Sequence, residues 1–163
     1  MHNTAVFPGS FDPVTIGHMD IITRAAGIFD HVHVLVAQNS EKQCMFDIYT
    51  RLRWIKTACE QSGLINVTVT SCDGLVTDFM KQNGITNIVR SVRSSADAEY
   101  ETILYNAYRS QLPQAELVLL PAKNELRSIA SGVVREMVHR RGSIDNMVPE
   151  CVKIEINKEM EIE

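Results

Sequence analysis

The sequence has no excess of positive charge. Its 163 residues include 16 Lys and Arg against 20 Asp and Glu, which gives a formal net charge of −4. A basic face for nucleic acid is therefore not expected, and an anionic ligand has to be held by local positive charge. Cysteines are also few: Cys44, Cys59, Cys72 and Cys151 are widely separated and form no close pair of the metal-ligand type. This spacing favours the reduced thiols of a cytosolic protein.

Long apolar runs are absent as well. No stretch approaches the length that spans a membrane, and the N-terminus lacks a basic segment followed by an apolar run. No repeat, linker or low-complexity segment divides the chain, so we expect residues 1–163 to form one domain. We therefore expect a soluble, cytoplasmic protein that binds neither membranes nor nucleic acid.

The chain does contain a regular alternation of apolar runs and helical patterns. The apolar runs are Thr4 to Phe7, His33 to Ala37, Val67 to Thr70, Asn87 to Val89 and Glu116 to Leu120. Helical patterns follow them at about 17–29, 47–63, 75–82, 97–111 and 131–142. This order predicts an α/β fold: a doubly wound, Rossmann-like, five-stranded parallel sheet with helices on both faces, which binds ligands at the carboxyl ends of its strands.

Two local features of this pattern can be checked in a structure. In the first helix, Asp20 and Arg24 are four residues apart, which predicts an ion pair on the outer face. The segment after Pro149 alternates like an edge strand but contains the lysines and glutamates of a helix, so both interpretations stay open.

Residues 8–18, PGSFDPVTIGH, are the most informative segment. Gly9 permits a tight turn after the first strand, Pro13 fixes the loop, and Gly17 with His18 opens the first helix. A strand, a tight loop and a helix together offer unpaired backbone amides to a phosphate, and a histidine in the first turn can reach the same anion. The alternative is a surface histidine on an amphipathic helix, but the two flanking glycines and the position after the first strand favour a functional site.

Three further segments follow predicted strands. Lys42 lies in a polar stretch after the second strand, and taken alone it fits a solvated lysine. Arg90 and Arg93 follow the fourth strand, where two guanidinium groups can hold phosphate oxygens or can pair with Asp97, Glu99 or Glu101. The string SIASG at 128–132 opens a helix after the fifth strand, so it is either a second anion site or an ordinary helix cap.

Together these segments resemble the phosphopantetheine adenylyltransferases, a bacterial family of the nucleotidyltransferase superfamily. The strings PGSFDPVTIGHMDII, SEKQCMF, IVRSVRSSADAEYE and VVRE fall in that family's order and spacing over nearly the whole chain. The resemblance implies transfer of AMP from ATP to 4′-phosphopantetheine, which gives dephospho-coenzyme A and pyrophosphate with Mg²⁺. It also implies a homohexamer and feedback inhibition by coenzyme A.

The resemblance assigns roles residue by residue. The implied catalytic residues are His18, at the α-phosphate, and Ser10, Lys42 and Arg90, at the attacking phosphate. The implied phosphopantetheine contacts are Ser10, Lys42, Leu75, Val76 and Arg90. The implied ATP contacts are Ser10, Phe11, Gly17, His18, Ser91, Val92, Arg93, Glu101, Leu126, Arg127, Ser128, Ile129, Ala130, Ser131 and Gly132. No protein side chain is expected to bind the metal directly, and since the nucleophile is already a phosphate anion, no covalent enzyme intermediate is needed.

The chain departs from the family pattern at four positions. Ser91 replaces a glycine, Ala130 and Gly132 replace serines, and Tyr108 stands where the family has asparagine. Backbone amides survive the changes at Ser91, Ala130 and Gly132, whereas hydroxyl contacts to phosphate are lost. Two alternatives remain: another small-molecule nucleotidyltransferase, acting on nicotinamide mononucleotide or glycerol phosphate, and a non-catalytic relative that binds coenzyme A.

Overall fold

A computed structural model describes residues 3–38 and 43–162, with side chains to residue 160. The strands are β1 (Thr4–Gly9), β2 (His31–Ala37), β3 (Val67–Cys72), β4 (Asn87–Val92) and β5 (Glu116–Pro121). The helices are α1 (Ile16–Ile28), α2 (Ile48–Gln61), α3 (Val76–Asn83), α4 (Ser95–Gln111), α5 (Ser131–His139) and α6 (Glu150–Ile162), with one 3₁₀ turn at Asn124–Leu126. No helix in the described ranges is long and apolar enough to cross a bilayer.

The five strands form one parallel sheet in the order β3-β2-β1-β4-β5. The chain therefore changes direction across the sheet between β1 and β4. These two strands pair only at Ala5 with Asn87 and at Val6 with Ile88, whereas β1 pairs with β2 along its full length. The carboxyl halves of β1 and β4 are thus not hydrogen-bonded to each other, which opens a crevice where such folds bind ligands.

Apolar side chains cover both faces of the sheet. Ala5 and Phe7 belong to one buried cluster, which also contains residues of α1, α2, α5 and α6. Val6 belongs to a second cluster with Met80 of α3 and with Leu112 at the end of α4. The alternation along β1 thus separates two helical layers, and the predicted doubly wound α/β fold is confirmed.

Helix boundaries differ from the sequence expectations by a few residues. Helix α1 begins before Gly17, because Thr15 caps it, and α4 begins at Ser95, because the Ser94 hydroxyl accepts the amide of Asp97. Helix α5 ends at His139 rather than at Gly142. After His139 the chain leaves the helix, and Arg141 has a φ of 54°, a conformation that cannot continue a right-handed helix.

The segment after Pro149 is a helix, α6, and not an edge strand. Val152 and Ile156 are buried in the larger cluster, while Ile154 points outward and is 45% exposed. The Glu155 carboxylate receives both terminal nitrogens of Arg53, at 2.5 and 2.7 Å, and the indole N–H of Trp54 at 2.9 Å. Helix α6 is therefore fastened to α2 by apolar packing and by one carboxylate with three donors.

This packing predicts different effects for two isoleucines of one helix. Ile156→Ala should lower the free energy of unfolding by roughly 2–4 kcal/mol, because it leaves a cavity in the core. Ile154→Ala should change it by less than about 0.5 kcal/mol, because that side chain is largely in solvent. Urea denaturation of both variants measures the difference, and equal losses would mean that α6 does not pack as described.

Candidate active site

The crevice between β1 and β4 contains a cavity of about 410 Å³. It is lined by Phe7, Pro8, Gly9, Ser10, Phe11, Thr15, Gly17, His18, Arg90, Ser91, Arg93, Asp97, Tyr100, Glu101, Ala122, Leu126, Ile129, Ala130 and Ser131. These residues come from the carboxyl ends of β1, β4 and β5 and from the amino ends of α1, α4 and α5. The sequence elements at residues 8–18, 90–93 and 128–132 therefore meet in one place.

The loop after β1 is held by a buried carboxylate, Asp12. Its two oxygens accept the backbone amides of Met45 and Phe46, each at 2.9 Å. The backbone carbonyl of Asp12 accepts Nη1 of Arg135, at 2.6 Å. Asp12 therefore joins three segments that are distant in sequence, and it does not line the cavity.

A buried arginine, Arg51, supports the same loop from below. Its Nη1 donates to the carbonyl of Ser10 at 2.7 Å, and its Nε donates to the carbonyl of Phe46 at 3.0 Å. In the same loop Phe11 adopts a φ of 48°. Its buried ring packs edge-on against the imidazole of His18, with ring centroids 5.0 Å apart. Ser10 is left exposed at the cavity.

His18 lies in the first turn of α1 and forms a reciprocal cap with Thr15. The Thr15 hydroxyl accepts the amide of His18 at 3.3 Å, and the Thr15 amide donates to Nδ1 of the imidazole at 3.1 Å. An Nδ1 that accepts a hydrogen bond carries no proton, so the proton of the neutral ring is on Nε2. The backbone thus selects the tautomer whose Nε2–H is a donor.

The electrostatics of the site keep this imidazole neutral. Burial, followed by the positive charges of Arg93 and Arg90, lowers the pKa of His18 from 6.5 to about 4. At neutral pH the ring is therefore a hydrogen-bond donor and not a cation. His18, Arg90 and Arg93 line the same cavity, which is why both positive charges act on the imidazole.

Arg90 is immobilised by acceptors on two sides. Its Nε and Nη2 donate to the two oxygens of Glu101 at 2.8 and 2.7 Å, and its Nη1 donates to the carbonyl of Pro8 at 2.7 Å. Burial disfavours the charged form, but the hydrogen bonds and charge of Glu101 outweigh it and raise the pKa of Arg90. The Glu101 side chain is buried, so it meets the cavity mainly as the partner of Arg90.

Arg93 forms a looser pair at the cavity rim. Its Nε and its backbone amide both reach Oδ2 of Asp97, at 3.1 and 3.0 Å, and both side chains remain partly exposed. The sequence offered two interpretations of these arginines, phosphate binding or pairing with acidic neighbours. The structure contains the pairs and also places both guanidinium groups at the cavity.

The two helix starts at the cavity differ in the amides they offer. In α1 the amide of Ile16 donates to the carbonyl of Met147 at 3.0 Å, and the amides of His18 and Met19 donate to Thr15. Within the described residues, only Gly17 of this first turn keeps an amide without an acceptor. The chain itself therefore uses most of the amides at this helix start, and Gly17 offers the one that is left for a ligand.

At α5 more amides remain available. Its cap residue, Ala130, makes no side-chain hydrogen bond, and the hydroxyl of Ser131 donates to the carbonyl of Pro13 at 2.8 Å. In the described part of the chain, the amides of Ser131, Gly132 and Val133 have no protein acceptor. Gly132 is helical and has no positive φ, so the backbone does not require glycine there.

Several residues from the sequence analysis lie away from this cavity or outside the described ranges. Val92, Arg127, Ser128 and Gly132 adjoin lining residues but do not line the cavity themselves. Leu75 and Val76 begin α3, beyond β3, and Val76 packs on the smaller apolar cluster. Lys42 falls in the 39–42 gap of the described chain.

Sequence reasoning missed the residues that support the site. Thr15 had a readable signal, because threonine is a preferred cap residue directly before an apolar helix. Arg51 and Arg135 had none, since they meet the loop across 41 and 123 residues.

Gly9 can be tested by adding one methyl group. A Cβ on Gly9 would lie 3.0 Å from two ring atoms of Phe11, which is buried and cannot move away freely. Gly9→Ala should therefore lower the free energy of unfolding by about 1–3 kcal/mol. The control is Gly27→Ala in α1, where an added Cβ meets nothing within 4 Å. This variant should raise the free energy of unfolding by about 0.5–1 kcal/mol. If both variants are equally stable in urea, the Phe11 ring is not packed as described.

Comparison with known proteins agrees with this geometry. The family model described as cytidylyltransferase-like matches residues 6–141. A phosphopantetheine adenylyltransferase of Bifidobacterium longum is 44% identical over 148 residues, which cover 91% of this chain and 89% of that protein. One of Bdellovibrio bacteriovorus is 41% identical over 93% of this chain and 94% of the relative.

A solved structure supports the fold alone. The putative nicotinate-nucleotide adenylyltransferase of Vibrio parahaemolyticus superposes with a TM-score of 0.71 at 16% identity, over 96% of this chain and 99% of that one. The crevice between β1 and β4, the segments around His18 and Arg90, and the identity to curated relatives over nine-tenths of the chain lead to one assignment. The chain belongs to the phosphopantetheine adenylyltransferase family, within the cytidylyltransferase-like proteins.

Proposed function

We propose that the chain transfers the adenylyl group of ATP to 4′-phosphopantetheine, forming dephospho-coenzyme A and pyrophosphate. The observation that carries the proposal is the meeting of His18, Arg90 and Arg93 in one cavity at the switch point of the sheet. Family membership at 44% identity selects this substrate pair among small-molecule nucleotidyltransferases.

In this mechanism a phosphate oxygen of 4′-phosphopantetheine attacks the α-phosphorus of ATP. The new P–O bond forms as the bond to the bridging oxygen breaks, and pyrophosphate leaves with that oxygen. The attacking group is an anion already, so the reaction needs positioning and charge stabilisation rather than a base. Arg90, held rigid by Glu101 and the Pro8 carbonyl, would orient the attacking phosphate, with Lys42 and Ser10 beside it.

His18 would act on the phosphorus that is attacked. Its Nε2–H is fixed by the hydrogen bond at Nδ1, and so it can donate to an α-phosphate oxygen as negative charge accumulates there. Arg93 and the free amides at the start of α5 would hold the rest of the triphosphate.

Mg²⁺ is the cofactor we propose. Among the described residues no three His, Cys, Asp or Glu side chains converge on a metal position, and the cavity carboxylates of Asp97 and Glu101 are paired with arginines. This arrangement fits an ion that arrives with the phosphates of ATP and keeps most of its waters. Bound in that way, Mg²⁺ would neutralise charge on the pyrophosphate leaving group.

A homohexamer in the cytoplasm and feedback inhibition by coenzyme A complete the proposal. Exposed apolar side chains such as Tyr49, Ile65 and Ile103 supply surface that an assembly can bury. Light scattering coupled to gel filtration tests the hexamer, and inhibition of turnover by added coenzyme A tests the feedback.

The proposed function is tested by pyrophosphate release with ATP and a panel of acceptors. We expect release with 4′-phosphopantetheine and little with nicotinamide mononucleotide or glycerol phosphate. A preference for either of the latter would replace the proposal with another nucleotidyltransferase. Binding of coenzyme A without any release would indicate a non-catalytic relative.

Replacing His18 should damage turnover more than folding. His18→Ala removes a preorganised donor to developing charge and should lower kcat by on the order of 10² to 10³. His139→Ala, in the last turn of α5, is the control and should leave kcat unchanged. Full activity of the His18 variant at saturating substrate would contradict the assigned role.

The pH dependence gives a second signature of His18. Its pKa is about 4 in the folded chain and 6.5 in the unfolded chain, so between these values the unfolded state binds more protons. Its contribution to stability is present above pH 6.5 and is lost as the pH falls toward 4. His18→Gln should remove this part of the acid sensitivity, as measured by urea denaturation at pH 7 and pH 5.

Arg90 and Lys42 should affect one substrate more than the other. Arg90→Ala and Lys42→Ala should each weaken the binding of 4′-phosphopantetheine more than the binding of ATP, because both side chains would hold the attacking phosphate. Arg109→Ala, on the exposed side of α4, is the matched control. Calorimetric titration measures the affinity for each ligand. Equal losses of affinity for the two ligands would reject the assignment.

A further inference from the structure

Asp20 joins α1 to the end of β5 through two cations. Its Oδ1 lies 2.7 Å from Nζ of Lys123, and its Oδ2 accepts Nη1 of Arg24 at 3.1 Å. The same Nη1 donates to the carbonyl of Pro121 at 2.7 Å. The predicted Asp20–Arg24 pair is therefore present, but Asp20 does not point outward as expected: its side chain is only 9% exposed and faces the chain beyond β5.

The charge state of this cluster is well defined. Burial opposes ionisation of Asp20, but hydrogen bonds from Lys123 and Arg24 outweigh it and lower the pKa of the carboxyl group. The carboxylate is enclosed while the side chains of Arg24 and Lys123 are 32% and 54% exposed, so the link is anchored at its Asp20 end and through the Arg24 bond to the Pro121 carbonyl.

The link fastens the segment at 122–131, which forms one wall of the cavity. Five of its residues line the cavity: Ala122, Leu126, Ile129, Ala130 and Ser131. Its regular structure is limited to one 3₁₀ turn, so its position depends on how its ends are attached. The far end is held where Ser131 donates to the Pro13 carbonyl. The near end is held by the Ala122 amide, which donates to the Val92 carbonyl at 2.8 Å, and one residue further on by Asp20 through Lys123.

Both attachments are to the part of the chain that contains His18: Pro13 lies in the loop before α1, and Asp20 lies in α1 itself. Between them the segment passes close to Gly17, where an added Cβ would stand 3.7 Å from the carbonyl of Ile129 and 3.9 Å from that of Leu126. Ser131 thus ties the far end of the segment to the loop before α1, and at the near end Lys123 is the side chain that ties it to α1, through Asp20. Asp20 itself does not line the cavity.

We propose that Asp20 is a positioning residue for the nucleotide. Acting through Lys123 and Arg24, it holds the 122–131 segment at the spacing from His18 that the phosphates of ATP require. This inference rests on the proposed function in one respect, that ATP occupies this cavity. It assigns no contact between Asp20 and either substrate.

The test compares ATP binding by the full chain and its variants in calorimetry with Mg²⁺ and no acceptor. Asp20→Asn keeps the size of the side chain and removes its charge, and we expect the ATP dissociation constant to rise about fivefold, within the range for residues that act through others. The constant for 4′-phosphopantetheine should change less than about twofold, and the KM for ATP should rise with kcat nearly unchanged. Asp20→Glu should recover part of the affinity.

Two further variants separate positioning from general damage. Asp78→Asn removes a carboxylate from the exposed Lys81 pair on α3 and should leave both affinities unchanged. Lys123→Met should raise the ATP dissociation constant about as much as Asp20→Asn does. The double variant should bind ATP no more weakly than the weaker of the two single variants, because all three lose the same link.

Other results would overturn the inference. If the Asp20 variants lose the same affinity for ATP and for 4′-phosphopantetheine, Asp20 has only a structural role. The same conclusion follows if they have a lower melting temperature but unchanged ATP affinity. Failure of the proposed function is distinguishable, because it appears in the unmodified chain as absent pyrophosphate release. An unmodified chain that binds ATP, with Asp20 variants that bind it equally well, rejects the positioning role alone.

Discussion

The carboxylate of Asp12 is the interaction on which the site depends. A loop that turns sharply after β1 leaves polar backbone groups at the centre of the molecule, and such groups are costly unless they are paired. Asp12 accepts the amides of Met45 and Phe46, and Arg135 reaches the carbonyl of Asp12 from α5. With these bonds in place the loop has one conformation, and Phe11 and His18 take defined positions above it.

The cavity is organised before any ligand enters. Arg90 is held by Glu101 and by a backbone carbonyl, and the tautomer of His18 is set by the Thr15 amide. Groups fixed in this way lose little freedom when they meet phosphate, so more of the interaction energy remains for binding and for the transition state. The looser Arg93–Asp97 pair at the rim leaves one guanidinium that can change partner.

The sequence was sufficient for the architecture and for the three segments that meet at the cavity. Five apolar runs alternating with helical patterns predicted the parallel sheet, and the loop at 8–18 with the RSVR string placed His18 and both arginines at its carboxyl edge. These are local signals: period, turn residues and position after a strand. The supporting contacts are not local, since Arg51, Arg135 and Lys123 find their partners only after the chain has folded. The sequence leaves the last helix open because its isoleucines alternate with charged residues, as in an edge strand. Burial of Val152 and Ile156 in the larger cluster and the bonds of Glu155 to α2 are contacts that form only in the folded chain.

The hydrogen bond from the Ile16 amide to the Met147 carbonyl has a consequence for the order in which the molecule is made. A ribosome releases the chain from its amino end, so the helix that carries the histidine emerges long before its acceptor at position 147. Until then the first turn of that helix has a polar group without its final partner. The nascent chain can form strands and helices early, but the first turn of α1 gains this acceptor only after the segment around residue 147 has also left the exit tunnel. The position of His18 in the folded molecule is therefore completed by a segment that is synthesised 131 residues after the amide it binds.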